Sequence, residues 1–188
     1  MRYCNLKDPT FRYKKMSLNQ QNSSASGQSQ PKYNRIVVKA GTTLLTGGTD
    51  RLDLEMMASL VGQVARLQFQ GRQMMIVSSG AVAAGRKVLE YTKQSRDVPV
   101  RQILAAVGQG RLLQAYEQLF DRHGIPVAQA LLTRRDLSDR HGYLNIRNTL
   151  LGLLAAGVIP IINENDVVAV DELSGGEVFG DNDTLSAM

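Results

Sequence analysis

The chain has 188 residues, of which 43% are hydrophobic, which is enough for one domain with a sizeable core and too few to require two. No apolar run approaches the roughly 20 residues that span a bilayer, because residues 150–162 are interrupted by Gly152, Gly157 and Pro160. The formal net charge of +5 would favour a nucleic-acid partner only if the charge lay on the folded part.

The positive charge is concentrated at the amino terminus. Residues 1–35 hold seven Lys or Arg against Asp8 alone, a net charge of +6, whereas the remaining 15 basic and 16 acidic residues give −1. A basic tail on a near-neutral domain is usually a solvated extension. We therefore expect no nucleic-acid partner and no membrane partner.

Residues 1–34 are expected to form a disordered basic and polar tail. The stretch 17–30 has no charged residue and almost no large apolar one, so it cannot bury enough surface to offset its ordering entropy. The tail lacks the continuous apolar segment of a secretory signal. The single cysteine, Cys4, excludes an intramolecular disulfide. These features favour a cytoplasmic location.

From residue 35 onward the pattern predicts strands alternating with helices. Short runs rich in Val or Ile are typical of strands covered on both faces, and they lie at 36–39, 74–78, 127–132 and 158–163. Helical spacing predicts helices from about 53 to 71, 81 to 89, 100 to 122 and 139 to 156. Connections that contain a helix are what parallel strands require. We predict an α/β fold, a three-layer αβα sandwich with a mainly parallel central sheet.

The last residues indicate an unfinished element. Residues 171–180 (DELSGGEVFG) predict a turn or β-hairpin, and Asp181 to Asp183 would open a helix for which only five residues follow. Because one helical turn alone is poorly stable, we expect the fold to be incomplete at the carboxyl terminus.

Small and polar residues follow three of the predicted strands, where open α/β sheets bind ligands. Lys39 and Gly41 at the end of the first strand could approach an anion, although a lone lysine at a strand end more often only extends into solvent. Ser79 and Gly80 precede a helix of small residues whose amides could receive a carboxylate or phosphate, and close packing alone would explain them equally well.

A third polar group follows the fourth predicted strand. Asn163 to Asp166 (NEND), and after them 180–183 (GDND), could orient a small zwitterion, because amide and carboxylate groups grip an ammonium. Turn formation and helix capping are the alternatives for these residue types. The chain has no P-loop, protein-kinase or zinc-hydrolase motif. The residues thus predict a site for a small anionic or zwitterionic molecule.

Six segments together resemble the glutamate 5-kinases of the amino acid kinase family. They agree in order and spacing throughout residues 35–188, and as a set they are highly specific; the segments are VVKAGT (37–42), VSSGAVAAG (77–85), LAAVGQ (104–109), LLTR (131–134), INEND (162–166) and GDND (180–183). Residues 35–188 are thereby identified as the substrate-binding, amino-terminal portion of an amino acid kinase domain.

The resemblance implies transfer of the ATP γ-phosphoryl group to the side-chain carboxylate of L-glutamate, which gives glutamyl 5-phosphate in proline biosynthesis. Lys39 matches the ATP-contacting, catalytic lysine of the family, and Ser79, Asp166 and Asn182 match its glutamate-binding positions. Mg²⁺ accompanies ATP, and no residue here is assigned as its ligand. Proline as a feedback inhibitor and a homo-oligomer at full length are implied too.

The resemblance also implies that a second lysine and the nucleotide loops belong to a carboxyl-terminal half. We therefore expect the 188-residue chain alone to be inactive as a kinase. Two alternatives stay open: a non-catalytic module that binds glutamate or proline, and a related kinase that acts on another small acid.

Overall fold

The computed structural model describes residues 33–93, 97–168 and 186. Of the predicted tail (1–34) only residues 33 and 34 are described, and the predicted hairpin (171–180) and the first residues of the predicted last helix (181–183) lie outside the described residues. The described elements, in chain order, are β1 (Arg35–Ala40), α1 (Thr42–Thr46), α2 (Leu54–Phe69), β2 (Gln73–Ser78), α3 (Ala81–Val88), α4 (Val98–Asp121), β3 (Val127–Leu132), α5 (Arg134–Ser138), α6 (Arg140–Ala155) and β4 (Ile159–Glu164).

The strands form one parallel sheet in the order β1-β2-β4-β3. Along the chain, β1, β2 and β3 are placed successively further toward one edge of the sheet. The connection to β4 runs in the opposite direction, and β4 lies between β2 and β3. Right-handed crossovers place the connecting helix on the opposite face when that direction reverses. Accordingly, α2 and α4 contribute to a core on one face, whereas α5 and α6 pack on the other. The predicted three-layer α/β architecture is confirmed.

The two faces of the sheet differ in how well they are covered. Alternate strand residues such as Ile36 and Val38 join the larger core, which includes Met57, Leu112 and Phe120, all completely buried. The α6 face has a smaller cluster of Val77, Leu132 and Ile162. In α6 the only buried residue is Leu154, and Tyr143 is 37% exposed.

Local signals fix most of the helix ends. The Asp53 carboxylate accepts hydrogen bonds from the backbone N–H groups of Glu55 and Met56, both at 3.0 Å, and so caps α2. Gly71, Gly124 and Gly157, which follow α2, α4 and α6, have φ of 84°, 65° and 78°, which a side chain would disfavour. The short helices α1 and α5 were not predicted. None of the described helices is long and apolar enough to cross a membrane.

Candidate active site

The predicted site residues that the structure describes lie at the carboxyl ends of adjacent strands. Lys39 lies opposite Val77 in the β1–β2 ladder, one residue before the end of β1, and its side chain is exposed. Ser79 directly follows β2, and its backbone N–H donates to the Ala40 carbonyl at 2.9 Å. The end of β1 and the turn after β2 are thus joined by a hydrogen bond.

The segment after β4 reaches the same edge of the sheet. Val77 pairs with Ile162, so continuing the register by one residue sets Ser78 level with Asn163. Asp166 follows two residues after the end of β4 and is partly exposed. The structure therefore brings Lys39, Ser79 and Asp166 to one edge of the sheet. Asn182, the fourth predicted site residue, lies outside the described residues.

The topology places a crevice at this edge. The connection after β2 runs over the face that carries α4, and the connection after β3 runs over the face that carries α6. β4 lies between β2 and β3. The connections that follow β2 and β3 therefore leave toward opposite faces of the sheet, one on either side of the end of β4. Such a reversal is where open α/β sheets bind their ligands.

The turn between β2 and α3 has the geometry of an anion cradle. Gly80 adopts φ 100°, a left-handed conformation, and the helix that follows has no side-chain cap for its first amides. Uncapped amides at a helix start attract a carboxylate or a phosphate, and the helix dipole adds to that attraction. A Cβ on Gly80 would also contact Leu45 at 3.3 Å and Leu52 at 3.4 Å, so only glycine fits here without strain.

Side chains from α4 hold both polar segments in place. The Asn163 side-chain amide donates to the Gln109 side-chain oxygen at 2.8 Å, and its own oxygen accepts the Glu164 N–H at 2.9 Å. Seven residues further along α4, the Tyr116 hydroxyl lies 3.0 Å from the Ser78 hydroxyl. Both Ser78 and Asn163 are buried, so these bonds satisfy polar groups that water does not reach.

Sequence reasoning assigned no role to Gln109 or Tyr116. A signal for them was present, because the two polar groups are seven residues apart on a helix and therefore share one face. That face also carries Leu112, which is completely buried. Polar groups inside a buried stripe are normally there to bond to a buried partner.

Glycines set how closely α3 approaches α4. A Cβ at Gly85 would overlap the Leu104 carbonyl, and a Cβ at Gly108 would overlap the Ala81 carbonyl and the Gly85 nitrogen. The two backbones are therefore in direct contact. This contact fixes the start of α3, and with it the turn at Ser79 and Gly80, against α4.

The described residues offer no obvious metal centre. Within 33–93 and 97–168 there is no group of three or more His, Cys, Asp or Glu side chains that could hold an ion. Glu164 and Asp166 are carboxylates at the site edge, but two side chains do not form a metal cage by themselves.

Comparison with known proteins identifies the family to which this chain belongs. The model of the amino acid kinase family matches residues 34–188, and the chain belongs to that family. Curated relatives carry the name glutamate 5-kinase. One from Dehalococcoides mccartyi (strain ATCC BAA-2266 / KCTC 15142 / 195) is 60% identical over 156 residues, which cover 83% of this chain and 42% of the relative.

Two further relatives with the same name agree. The protein from Herpetosiphon aurantiacus is 56% identical over 154 residues, covering 82% of this chain and 40% of the relative. The protein from Vibrio parahaemolyticus is 49% identical over 173 residues, covering 92% of this chain and 43% of the relative. The chain thus spans about two fifths of the length of these relatives. The resemblance found in the sequence motifs is confirmed.

Proposed function

We propose that this chain provides the glutamate-binding part of a glutamate 5-kinase. The observation that carries the proposal is the meeting of Lys39, Ser79 and Asp166 at the carboxyl edge of adjacent parallel strands, beside the crevice at the end of β4. A cation, a hydroxyl with nearby amides, and a carboxylate are the groups that a zwitterionic substrate and a transferring phosphoryl group need. Relatives named glutamate 5-kinase support the choice of substrate.

Each residue has a distinct role in this proposal. Asp166 pairs with the substrate ammonium, and the Ser79 hydroxyl donates to a substrate carboxylate. Asn182 contributes a further contact to glutamate. Lys39 lies against the ATP phosphates and stabilises the charge on the moving oxygens, because a loose phosphoryl-transfer transition state depends mainly on positioning and cations.

The proposed reaction is a single displacement. A side-chain carboxylate oxygen of glutamate attacks the γ-phosphorus of ATP, the bond to the β-phosphate oxygen breaks, and ADP leaves with that electron pair. Mg²⁺ is carried by the nucleotide phosphates in this proposal. A cytoplasmic location, inhibition by proline and self-association are proposed with the family resemblance, without a residue assigned to any of them.

The test is a calorimetric titration of the purified chain with L-glutamate, alongside Asp166→Ala. We expect the parent chain to bind and the variant to lose at least about tenfold in affinity, since a hydrogen bond to a charged group contributes about 1.5–3 kcal/mol. Asp121→Ala is the matched control. Asp121 is an exposed carboxylate at the carboxyl end of α4, so its replacement should leave binding unchanged. A cooperative melt of each sample shows that it is folded.

Competing acids separate this proposal from its alternatives. N-acetylglutamate has no ammonium for Asp166 to pair with, so it should not displace glutamate, and aspartate should compete only weakly because it is shorter. Tighter binding of either acid would instead indicate a related kinase. An assay of ADP release with glutamate and ATP, performed on the chain and on a full-length relative named glutamate 5-kinase as positive control, separates a kinase from a silent binding module.

A further inference from the structure

A buried tyrosine hydroxyl lies directly behind the turn that follows β2. Tyr116 and Ser78 are both completely buried, and their hydroxyl oxygens are 3.0 Å apart. The Ser78 hydroxyl also donates to the carbonyl oxygen of Ser79 at 3.1 Å. A carbonyl only accepts, so the single proton of Ser78 is used there. Both bonds exist together only when Tyr116 donates to Ser78.

This arrangement is a one-way chain of hydrogen bonds from the core to the turn. It runs from the Tyr116 hydroxyl to the Ser78 hydroxyl and from there to the Ser79 carbonyl. Burial raises the pKa of Tyr116 to about 12. The phenol therefore keeps its proton, and stays a donor, throughout the neutral pH range.

These hydrogen bonds fix the direction in which the Gly80 N–H points. The Ser79 N–H is bonded to the Ala40 carbonyl, so both backbone groups of Ser79 are tied. Because a trans peptide is planar, its carbonyl and the following N–H point in opposite directions. Holding the Ser79 carbonyl toward Ser78 therefore directs the Gly80 N–H away from it. The left-handed Gly80 then leads into the uncapped start of α3.

We infer that Tyr116 is a positioning residue for the carboxylate-binding turn at Ser79 and Gly80, acting through Ser78; that the turn receives a glutamate carboxylate rests on the proposed function. Tyr116 itself does not reach the substrate, since its side chain is completely buried. Its contribution is to hold the donors in the bound geometry before glutamate arrives, which lowers the ordering cost of binding.

The test combines Tyr116→Phe, Ser78→Ala and the double variant in the full 188-residue chain, each titrated with L-glutamate. Tyr116→Phe removes one oxygen and should weaken binding about three- to tenfold, the range for one hydrogen bond. Ser78→Ala should weaken it at least as much. Because Tyr116 acts through Ser78, the double variant should bind as weakly as Ser78→Ala alone.

Melting temperatures separate positioning from simple stability. In Tyr116→Phe the Ser78 hydroxyl keeps its bond to the Ser79 carbonyl, whereas Ser78→Ala deprives the buried Tyr116 hydroxyl of its bond to Ser78. The double variant removes that hydroxyl too, so it should melt above Ser78→Ala. Its affinity for glutamate should nevertheless stay low. Phe120→Leu is the control, because the Phe120 ring stacks near Tyr116, with centroids 6.5 Å apart, but has no polar atom. It should lower the melting temperature without changing affinity.

Amide hydrogen exchange of the ligand-free chain gives a readout that does not depend on glutamate. Tyr116→Phe should speed the exchange of the Ser79 N–H and leave that of Met57, bonded to the Asp53 carbonyl at the start of α2, unchanged. If the parent chain fails to bind glutamate but Ser79 exchange rises, the proposed function is wrong and the positioning role stands. Unchanged Ser79 exchange, or unchanged affinity in Tyr116→Phe when the parent binds, would overturn the inference.

Discussion

The ionisation of Tyr116 gives the folded protein a specific sensitivity to alkaline pH. Burial raises the pKa of this phenol from 10.0 to about 12. Between these values the unfolded chain loses the proton while the folded chain keeps it, so stability is full below pH 10 and falls as pH rises. The slope from this one group is at most about 1.4 kcal/mol per pH unit.

Tyr116→Phe should remove this part of the alkaline loss. We expect its free energy of unfolding, measured by denaturant titration at intervals from pH 8 to 12, to fall less steeply above pH 10 than that of the parent. The two proteins differ only at residue 116, so the comparison isolates Tyr116. Parallel profiles for the two proteins would mean that the phenol ionises normally in the folded state.

The sequence predicted the location of single site residues best where they lie at the end of a strand. Lys39, Ser79 and Asp166 follow short apolar runs, and ends of parallel strands share one edge, so their proximity followed from the sequence. Their proposed roles stay predictions. Gln109 and Tyr116 were missed because their partners are distant along the chain: 54 residues separate Gln109 from Asn163. Only the folded chain shows that pairing.

At the scale of elements, α5 depends on a local hydrogen-bond motif. The Asp136 carboxylate accepts the Thr133 hydroxyl at 2.7 Å and the Thr133 N–H at 2.8 Å, while the Thr133 oxygen accepts the Asp136 N–H. This is a capping box, and its sequence signature, Thr133 followed three residues later by Asp136, was visible beforehand. Since α5 has five residues and no buried side chain, apolar periodicity gave no signal for it.

Thr133→Ala should therefore destabilise the protein by about 1 kcal/mol at pH 7. Bonds from the Thr133 hydroxyl, and then from its N–H, hold the pKa of Asp136 below the ordinary 3.8. A depressed pKa favours the folded state above the ordinary value, and this benefit is lost as pH falls through the lower value. The gap between parent and variant, from denaturant melts at pH 7 and at pH 2–3, should shrink in acid.

The control for the capping box is Thr149→Ala. The Thr149 hydroxyl donates to the Asn145 carbonyl within α6 and caps no helix end, so the change should leave stability within about 0.5 kcal/mol. An equal loss in the two variants would show that the box adds nothing beyond an exposed threonine hydroxyl.

The backbone contact between α3 and α4 predicts that an added methyl group destabilises the protein at one glycine of α4 and not at another. Gly108→Ala would place a methyl group into the backbone of α3, and forcing the helices apart should cost about 1–3 kcal/mol or more. Gly110 lies on the same helix with nothing within 4 Å of an added Cβ. Gly110→Ala should therefore stabilise the protein by about 0.5–1 kcal/mol, from helix propensity alone.

Opposite signs for these two glycine variants, measured as free energies of unfolding, would identify the backbone contact as the cause. Destabilisation by both would instead indicate that α4 tolerates no added side chain on either face. The sequence showed a helix start with small residues from Ala81 to Gly85 but left close packing and ligand binding equally open. The structure shows that close packing is present, and it positions the same turn that the proposed ligand needs.

For the whole molecule, the uneven covering of the sheet predicts an uneven distribution of stability. Strand positions and layers could be read from the sequence, because buried Val and Ile runs separated by helices admit few topologies. The difference between the faces could not be read, since α6 has apolar residues at helical spacing much as α2 does. In the structure Met57 of α2 is completely buried, whereas Leu150 of α6 is only partly buried and lines an open apolar cavity.

Met57→Ala should cost about 2–5 kcal/mol, because it leaves a hole in a closed core. Leu150→Ala should cost clearly less, since the leucine is already in part exposed and the cavity beside it opens to solvent. Leu144, 40% exposed on α6, supplies a control whose change to alanine should be near neutral. Equal losses for Met57 and Leu150 in denaturant titrations of the 188-residue chain would mean that the α6 face is closed in solution, for instance by self-association, which a concentration-dependent midpoint would reveal.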